Sequence, residues 1–249
     1  MKAIVLCCDK YHIFAYHTIL TYERILPKNF TYLVPYCKNI NINLKRLSKE
    51  CKIIFIKCQD TSFKVTMENL LREVDDEEYI YWCSSDNYLD KANKEEFIEV
   101  KNLIEKGKMK KYDVISIFSN KKIRRMHQLE RIIIDNKNFL LCPEWKEPIF
   151  NIWNHQFMKG KIQKAIWNSL DEPKKAKDLD YQLGNLQHRI YGNKTFRNTK
   201  NLYLEIPIIK LGENTSRGKM TKNSYDSFIN YGIEIPKDFE LDENKNLFW

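Results

Sequence analysis

The 249-residue sequence predicts an α/β protein with a mostly parallel central sheet flanked by helices. Two observations carry this. Short apolar runs alternate with helix-like patterns through the first half, which is how consecutive βαβ units read. The runs are also nearly continuous rather than alternating apolar and polar, as expected of parallel strands covered on both faces. An apolar fraction of 43%, with 13% aromatic residues, supplies a core for such a sheet, whereas disordered chains have the opposite composition.

The elements follow in order. Lys2 to Cys8 reads as a first strand, and Tyr11 to Leu26 as a helix with a stripe through Ile13, Tyr16, Leu20 and Arg24 or Ile25. Pro27 stops that helix, and Thr31 to Cys37 is a second strand. A short helix over residues 40–50, with Ile42, Leu44 and Leu47, leads to a third strand from Lys52 to Cys58. Thr61 or Ser62 caps a helix running to Val74. Tyr79 to Cys83 is a fourth strand, a charged helix covers 93–107, and Tyr112 to Phe118 is a fifth strand.

The second half differs in texture. Arg131 to Ile134 and Asn138 to Leu141 can pair around Asp135-Asn136, and a helix is expected from about Lys159 to Leu170, ended at Asp171-Glu-Pro173. Asp178-Leu-Asp180 opens another, Leu202 to Leu211 reads as one strand, and Gly212 to Gly218 as a flexible polar loop. The expected organisation is a single domain in two halves, 1–120 and 121–249.

Several classes are excluded. No Gly-x-Gly-x-x-Gly or Walker loop occurs, and seven glycines in all leave no room for either chemistry. No run approaches the roughly 18–20 apolar residues of a membrane span. The N-terminal apolar stretch is too short for a signal peptide, which points to a cytoplasmic location. Seven cysteines without a Cys-x-x-Cys pair read as free thiols of a reducing compartment, not as a zinc site. The net charge of +9 concentrates between Lys101 and Arg125 and between Arg189 and Lys222. Such patches suit polyanions: nucleic acid, an anionic membrane surface or a diphosphate. Solvated surface lysine is the plain alternative.

The richest stretch is Tyr79-Ile-Tyr-Trp-Cys-Ser-Ser-Asp86-Asn87-Tyr-Leu-Asp90, an apolar strand running into a polar cluster around one carboxylate, with a helical, charged segment expected after it. Open α/β sheets bind ligands at the carboxyl ends of their strands. Asp86 therefore stands where a catalytic or metal-binding acid is placed; the plain alternative is a turn that caps the next helix. The stretch resembles a degenerate Asp-x-Asp signature of GT-A-fold glycosyltransferases, with Ser84 at the first acid. By element order the resemblance extends over most of the chain, in particular to small bacterial enzymes of surface-polysaccharide assembly.

The resemblance implies a nucleotide-sugar donor across the ends of the first and fourth strands, and a polysaccharide or lipid-linked glycan acceptor against the second half. Ser84, Ser85, Asp86 and Asn87 would hold the donor, with Asp86 the ligand of a divalent Mn²⁺ or Mg²⁺ where one is used; Mg²⁺ commonly takes only one or two carboxylates. Cys8, Asp9 and Tyr11 would meet nucleobase and ribose, although Asp9 could equally cap the helix that follows. Asp180, or Asp178, would accept the acceptor hydroxyl proton, against the alternative that acids in a first helical turn serve the macrodipole. Arg217 and Lys219 would stabilise the departing diphosphate. Trp145, Trp153 and His155 could stack on an acceptor sugar, against the alternative that the tryptophans belong to the core, while His17 reads as a packed or surface histidine.

The basic patches would add peripheral contact with anionic lipid at the inner membrane face. Two alternatives stand beside this reading. One is a nucleotidyltransferase, although Cys7-Cys8-Asp9-Lys10 lacks the glycines of its phosphate loop. The other is a non-catalytic basic nucleic-acid-binding protein, against which no helix-turn-helix, finger, RNA-recognition or KH pattern is present.

Overall fold

The computed structural model describes residues 1–59, 62–118, 129–142, 154–173, 178–179, 182, 199–216 and 218–242. The α/β architecture expected from the sequence is present. In the first half, β1 (Lys2–Leu6), α1 (His12–Ile25), β2 (Thr31–Tyr36), α2 (Ile42–Leu47), β3 (Ile53–Lys57), α3 (Phe63–Arg72) and β4 (Tyr79–Ser84) alternate as βαβ units. β5 (Asn87–Ala92), α4 (Lys94–Glu105) and β6 (Val114–Ser116) follow. Caps set the helix starts: Asn41 accepts from Asn43 N, Ser62 from Val65 N and Asn93 from Glu96 N. Glu172 adds its carboxylate to the start of α3, accepting from the N–H groups of Phe63 and Lys64 at 2.9 and 3.0 Å.

The second half supplies the hairpin β7 (Glu130–Ile134) and β8 (Lys137–Cys142), then β9 (Gln156–Lys159), α5 (Gly160–Asn168), β10 (Asn201–Leu204) and β11 (Ile209–Glu213). β12 (Thr215–Ser216), β13 (Lys219–Thr221), α6 (Lys222–Asn230) and β14 (Leu241–Asp242) complete it. The hairpin turns at Asp135 and Asn136, both at positive φ (51° and 66°), where Asn and Asp are tolerated best.

Among the described residues nine strands form one sheet in the order β3-β2-β1-β4-β9-β6-β10-β8-β7, so both halves of the chain contribute to it. The pairs β3–β2, β2–β1, β1–β4 and β6–β10 are parallel. β9 runs antiparallel between β4 and β6, and the β7–β8 hairpin closes the far side antiparallel. One face packs against α1, α2, α4 and α6 through residues such as Phe14, Leu44, Phe97 and Phe228. The other packs against α3 and α5 through Met67, Leu70, Ile162 and Trp167. Trp82, Tyr81 and Phe157 are fully buried in the central strands, and each such side chain contributes about 2–3 kcal/mol by leaving water.

Four expectations need correction. The segment after Asp86 is not helical at once: β5 intervenes, paired antiparallel with β11, and helix starts only at Lys94. Leu202 to Leu211 is two strands in different sheets, because Pro207 between them has no N–H for a ladder. The stripe read for α1 missed its inner face. Phe14, His17, Thr18, Ile19 and Tyr22 are buried, while Ile13, Tyr16 and Ile25 are only half-buried, because this helix is covered by the sheet on one side and by β5 and α6 on others. The stretch read as a loose loop from Gly212 begins inside β11, and Asn214, Thr215 and Ser216 after it are buried.

Candidate functional site

β1 lies between β2 and β4, so the strand order reverses at it: the chain steps outward through β2 and β3, then returns to β4 on the other side of β1. α1 carries the chain one way on one face of the sheet, and α3 brings it back on the other. The crevice outside the carboxyl ends of two such strands is where open α/β sheets bind ligands. Here those ends are Leu6 and Ser84, directly paired, with Ser85 N bonded to Leu6 O at 3.1 Å.

The turn Ser85–Asp86 between β4 and β5 therefore stands at the switch point. Ser84, Ser85 and Asn87 are buried, and of these four residues Asp86 alone reaches the surface. Its carboxylate is oriented by Thr215, whose hydroxyl donates to Oδ1 at 2.7 Å, and its N–H donates to Ser84 Oγ at 3.2 Å. Ser84 is thus a local brace for Asp86 rather than an exposed donor. Asn87 pairs with Glu213 in the β5–β11 ladder, and its carbonyl accepts from Thr18 Oγ1 at 2.7 Å.

Tyr11 sits close enough for Asp86 to affect it: burial first, then the Asp86 charge, push its phenol above the usual range. Its ring is half-buried and meets Phe239 edge-on at 5.3 Å. Cys8 is exposed at the end of β1. Asp9, beside it, has both carboxylate oxygens engaged by the loop after β2. It accepts from the N–H groups of Cys37, Lys38 and Asn39 at 2.8, 2.7 and 3.1 Å. Burial raises its pKa, but these three donors outweigh that and hold the carboxyl below its usual range. Asp9 thus orders the 37–39 loop beside the crevice.

Asp178 and Leu179 lie in a helical turn, and Leu179 is fully buried against the α3–α5 face, so Asp178 stands half-exposed on that side of the sheet. Asp180, Arg217, Trp145 and Trp153 lie outside the described residues. Lys219 is exposed and pairs with Glu240 at 2.7 Å, so its charge is compensated on β13. Thr215, two residues before Arg217, touches Asp86.

Sequence reading missed the polar groups behind the turn. Asn214, fully buried, donates to Ser85 O from Nδ2 at 2.9 Å and to Asp86 O from its backbone N–H at 2.6 Å. His17 bonds Asn214 Oδ1 through Nδ1 at 2.7 Å and Ser227 Oγ through Nε2 at 2.8 Å. His155 bonds Ser84 O through Nε2 at 3.0 Å and Tyr22 Oη through Nδ1 at 2.8 Å, with Tyr81 beyond. Burial lowers both histidines to about 4, so both are neutral at pH 7. His155 is therefore a packed core group, not an exposed platform for a sugar. A polar cluster placed between an apolar strand and a helix was the available signal for Asn214; the histidines offered none.

Among the described residues no three His, Cys, Asp or Glu side chains gather as a metal cage requires. None of the described helices is long and apolar enough to cross a membrane. All seven cysteines are free thiols.

No protein-family model matches the chain, and no curated protein is similar to it in sequence. Solved structures do resemble it at low identity. An active-site mutant of LgtC is 10% identical over 96% of this chain and 98% of that one, with a TM-score of 0.44. A Bacillus anthracis protein described as a glucose-1-phosphate thymidylyltransferase is 10% identical over 97% and 100%, with a TM-score of 0.47. The 4-diphosphocytidyl-2C-methyl-D-erythritol synthase of Anaerococcus prevotii is 13% identical over 93% and 95%, with a TM-score of 0.46. Each is a likeness in overall fold.

Proposed function

We propose that the chain is a glycosyltransferase that moves a sugar from a nucleotide-sugar donor to a polysaccharide or lipid-linked glycan acceptor. The observation that carries this is the half-exposed Asp86 carboxylate at the β1–β4 switch point, on a turn whose other polar residues face inward. Open α/β sheets bind such ligands at strand ends, and a base can stack on an aromatic ring; Asp86 would meet the cation or the sugar hydroxyls and Tyr11 the base. The 37–39 loop, ordered by Asp9, would form the wall on the β2 side.

In the reaction, an acceptor hydroxyl oxygen bonds to the anomeric carbon while the bond from that carbon to the diphosphate breaks. Asp180, or Asp178 two residues earlier, takes the hydroxyl proton, and the leaving diphosphate carries away the electron pair. Arg217 meets the growing charge with its forked donors. Asp86 would hold Mg²⁺ or Mn²⁺ where one is used, and the cation would supply Lewis-acid charge. A single carboxylate at the turn makes that hold weak, which leaves more of the charge to Arg217. Contact of the basic surface with anionic lipid would bring the protein to its acceptor.

The test is titration with uridine, guanosine, thymidine and cytidine diphosphate sugars, with and without Mn²⁺, read by calorimetry and thermal shift. One donor should bind, and Asp86→Ala should abolish its turnover with the fold intact. Silence across the panel, or an Asp86→Ala protein of unchanged rate, sinks the proposal. Pyrophosphate release from a nucleoside triphosphate and a sugar phosphate would instead identify a nucleotidyltransferase.

A further inference from the structure

Three successive carbonyls of the Asp86 turn are each bonded from behind by a buried group. Ser84 O accepts from His155 Nε2 at 3.0 Å, Ser85 O from Asn214 Nδ2 at 2.9 Å, and Asp86 O from Asn214 N at 2.6 Å. A turn that only joined two strands could leave these carbonyls to water. Here His155, Asn214 and His17 are all fully buried, and a buried polar network is costly unless its members are satisfied.

The bonding directions follow from chemistry. A peptide carbonyl only accepts, so His155 carries its proton on Nε2. Its Nδ1 accepts from the Tyr22 hydroxyl, whose oxygen accepts from Tyr81. Asn214 uses Nδ2 to donate to Ser85 O and, at 3.3 Å, to Thr18 Oγ1, so its Oδ1 accepts from both Ser224 Oγ and His17. His17 therefore carries its proton on Nδ1, and its Nε2 accepts from Ser227. The two histidines are held in opposite tautomers, one bonded to the turn and one to the Asn214 that braces it.

We propose that Asn214 and His155 are positioning residues that fix the Asp86 carboxylate, with His17 acting through Asn214. Neither touches the donor. The inference rests on the reading of Asp86 as the donor-contacting group. A reacting arrangement displaced by about 1 Å can lose about 100-fold in rate, so three bonds that hold the backbone of one catalytic turn have a direct effect on turnover.

The first measurement needs no substrate. Long-range ¹H–¹⁵N correlation on the full-length protein at neutral pH should show His17 as the Nδ1–H tautomer and His155 as the Nε2–H tautomer. Either histidine in the reverse tautomer overturns the network. The second uses the donor found in the titration. Asn214→Ala and His155→Leu should lower kcat about 100-fold with donor KM changed less than about threefold.

Rescue should follow the tautomers. At 155, Gln can place an amide nitrogen where Nε2 stands and should restore about tenfold, whereas Asn should not. At 17 the pattern reverses, with Asn restoring and Gln not. A merely structural role gives losses that track Tm and no such crossing. Should Asn214→Ala fail to fold, the His17→Asn and His17→Gln pair carries the comparison. Loss of turnover in Asp86→Ala with full turnover in Asn214→Ala removes this inference alone. A fully active Asp86→Ala, or no donor turnover by the wild type, removes the proposed function and this inference with it.

Discussion

Mild acid should destabilise this protein through two histidines. His17 and His155 are buried and neutral, with pKa values pushed down to about 4 from an ordinary 6.5. Between those values the unfolded chain binds a proton at each that the folded chain refuses, so stability rises with pH across the window. It is fully present above about 6.5 and lost as pH falls towards 4. A 2.5-unit gap corresponds to about 3 kcal/mol per histidine over the whole window, and to about 2 kcal/mol per histidine between pH 7 and pH 5.

Together they should remove about 4 kcal/mol by pH 5, a large share of a typical stability of about 5–15 kcal/mol. Asp9, whose carboxyl is held below 3.8, contributes at lower pH and does not confuse the window. Urea denaturation at half-unit steps from pH 7.5 to 4.5 measures the slope. His17→Gln and His155→Gln should each be less stable at pH 7 but lose about half of the pH dependence. A wild-type stability that is flat from pH 7 to pH 5, or variants with an undiminished slope, would refute the assignment of both side chains as buried and neutral.

Gly212→Ala should destabilise by about 1–3 kcal/mol, because a Cβ there would stand 2.2 Å from the Tyr88 ring, itself 4% exposed; a double-mutant cycle with Tyr88→Ala should recover much of the loss. Thr215→Val keeps the shape of the side chain but removes the hydroxyl that orients Asp86 Oδ1, so kcat should fall about tenfold with Tm nearly unchanged, and an unaffected kcat would place the carboxylate's orientation elsewhere. Asp9→Ala leaves the N–H groups of Cys37, Lys38 and Asn39 without their acceptor and should cost about 1–3 kcal/mol, with faster amide exchange confined to that loop; exchange spread over the whole β2 strand would contradict the local role.

The order of elements through β4, the free thiols and the hairpin at Asp135-Asn136 could all be read from the sequence, since each depends on local pattern: apolar runs, caps and residues that tolerate positive φ. β9 could not. Gln156–Lys159 is four residues long, and only its insertion between β4 and β6 makes it a strand. The split at Pro207 had a local signal in its missing N–H, but that β10 and β11 join different sheets did not.

At the candidate site the sequence by itself determined that Asp86 ends an apolar strand, because strand periodicity and a polar break are neighbours in the chain. What surrounds Asp86 was decided by tertiary structure alone. Thr215 comes from 129 residues away, and Asn214 is 197 residues from the His17 it bonds. Their buried polar atoms could be satisfied only by partners that folding brings together, and no local rule relates residues at such separations.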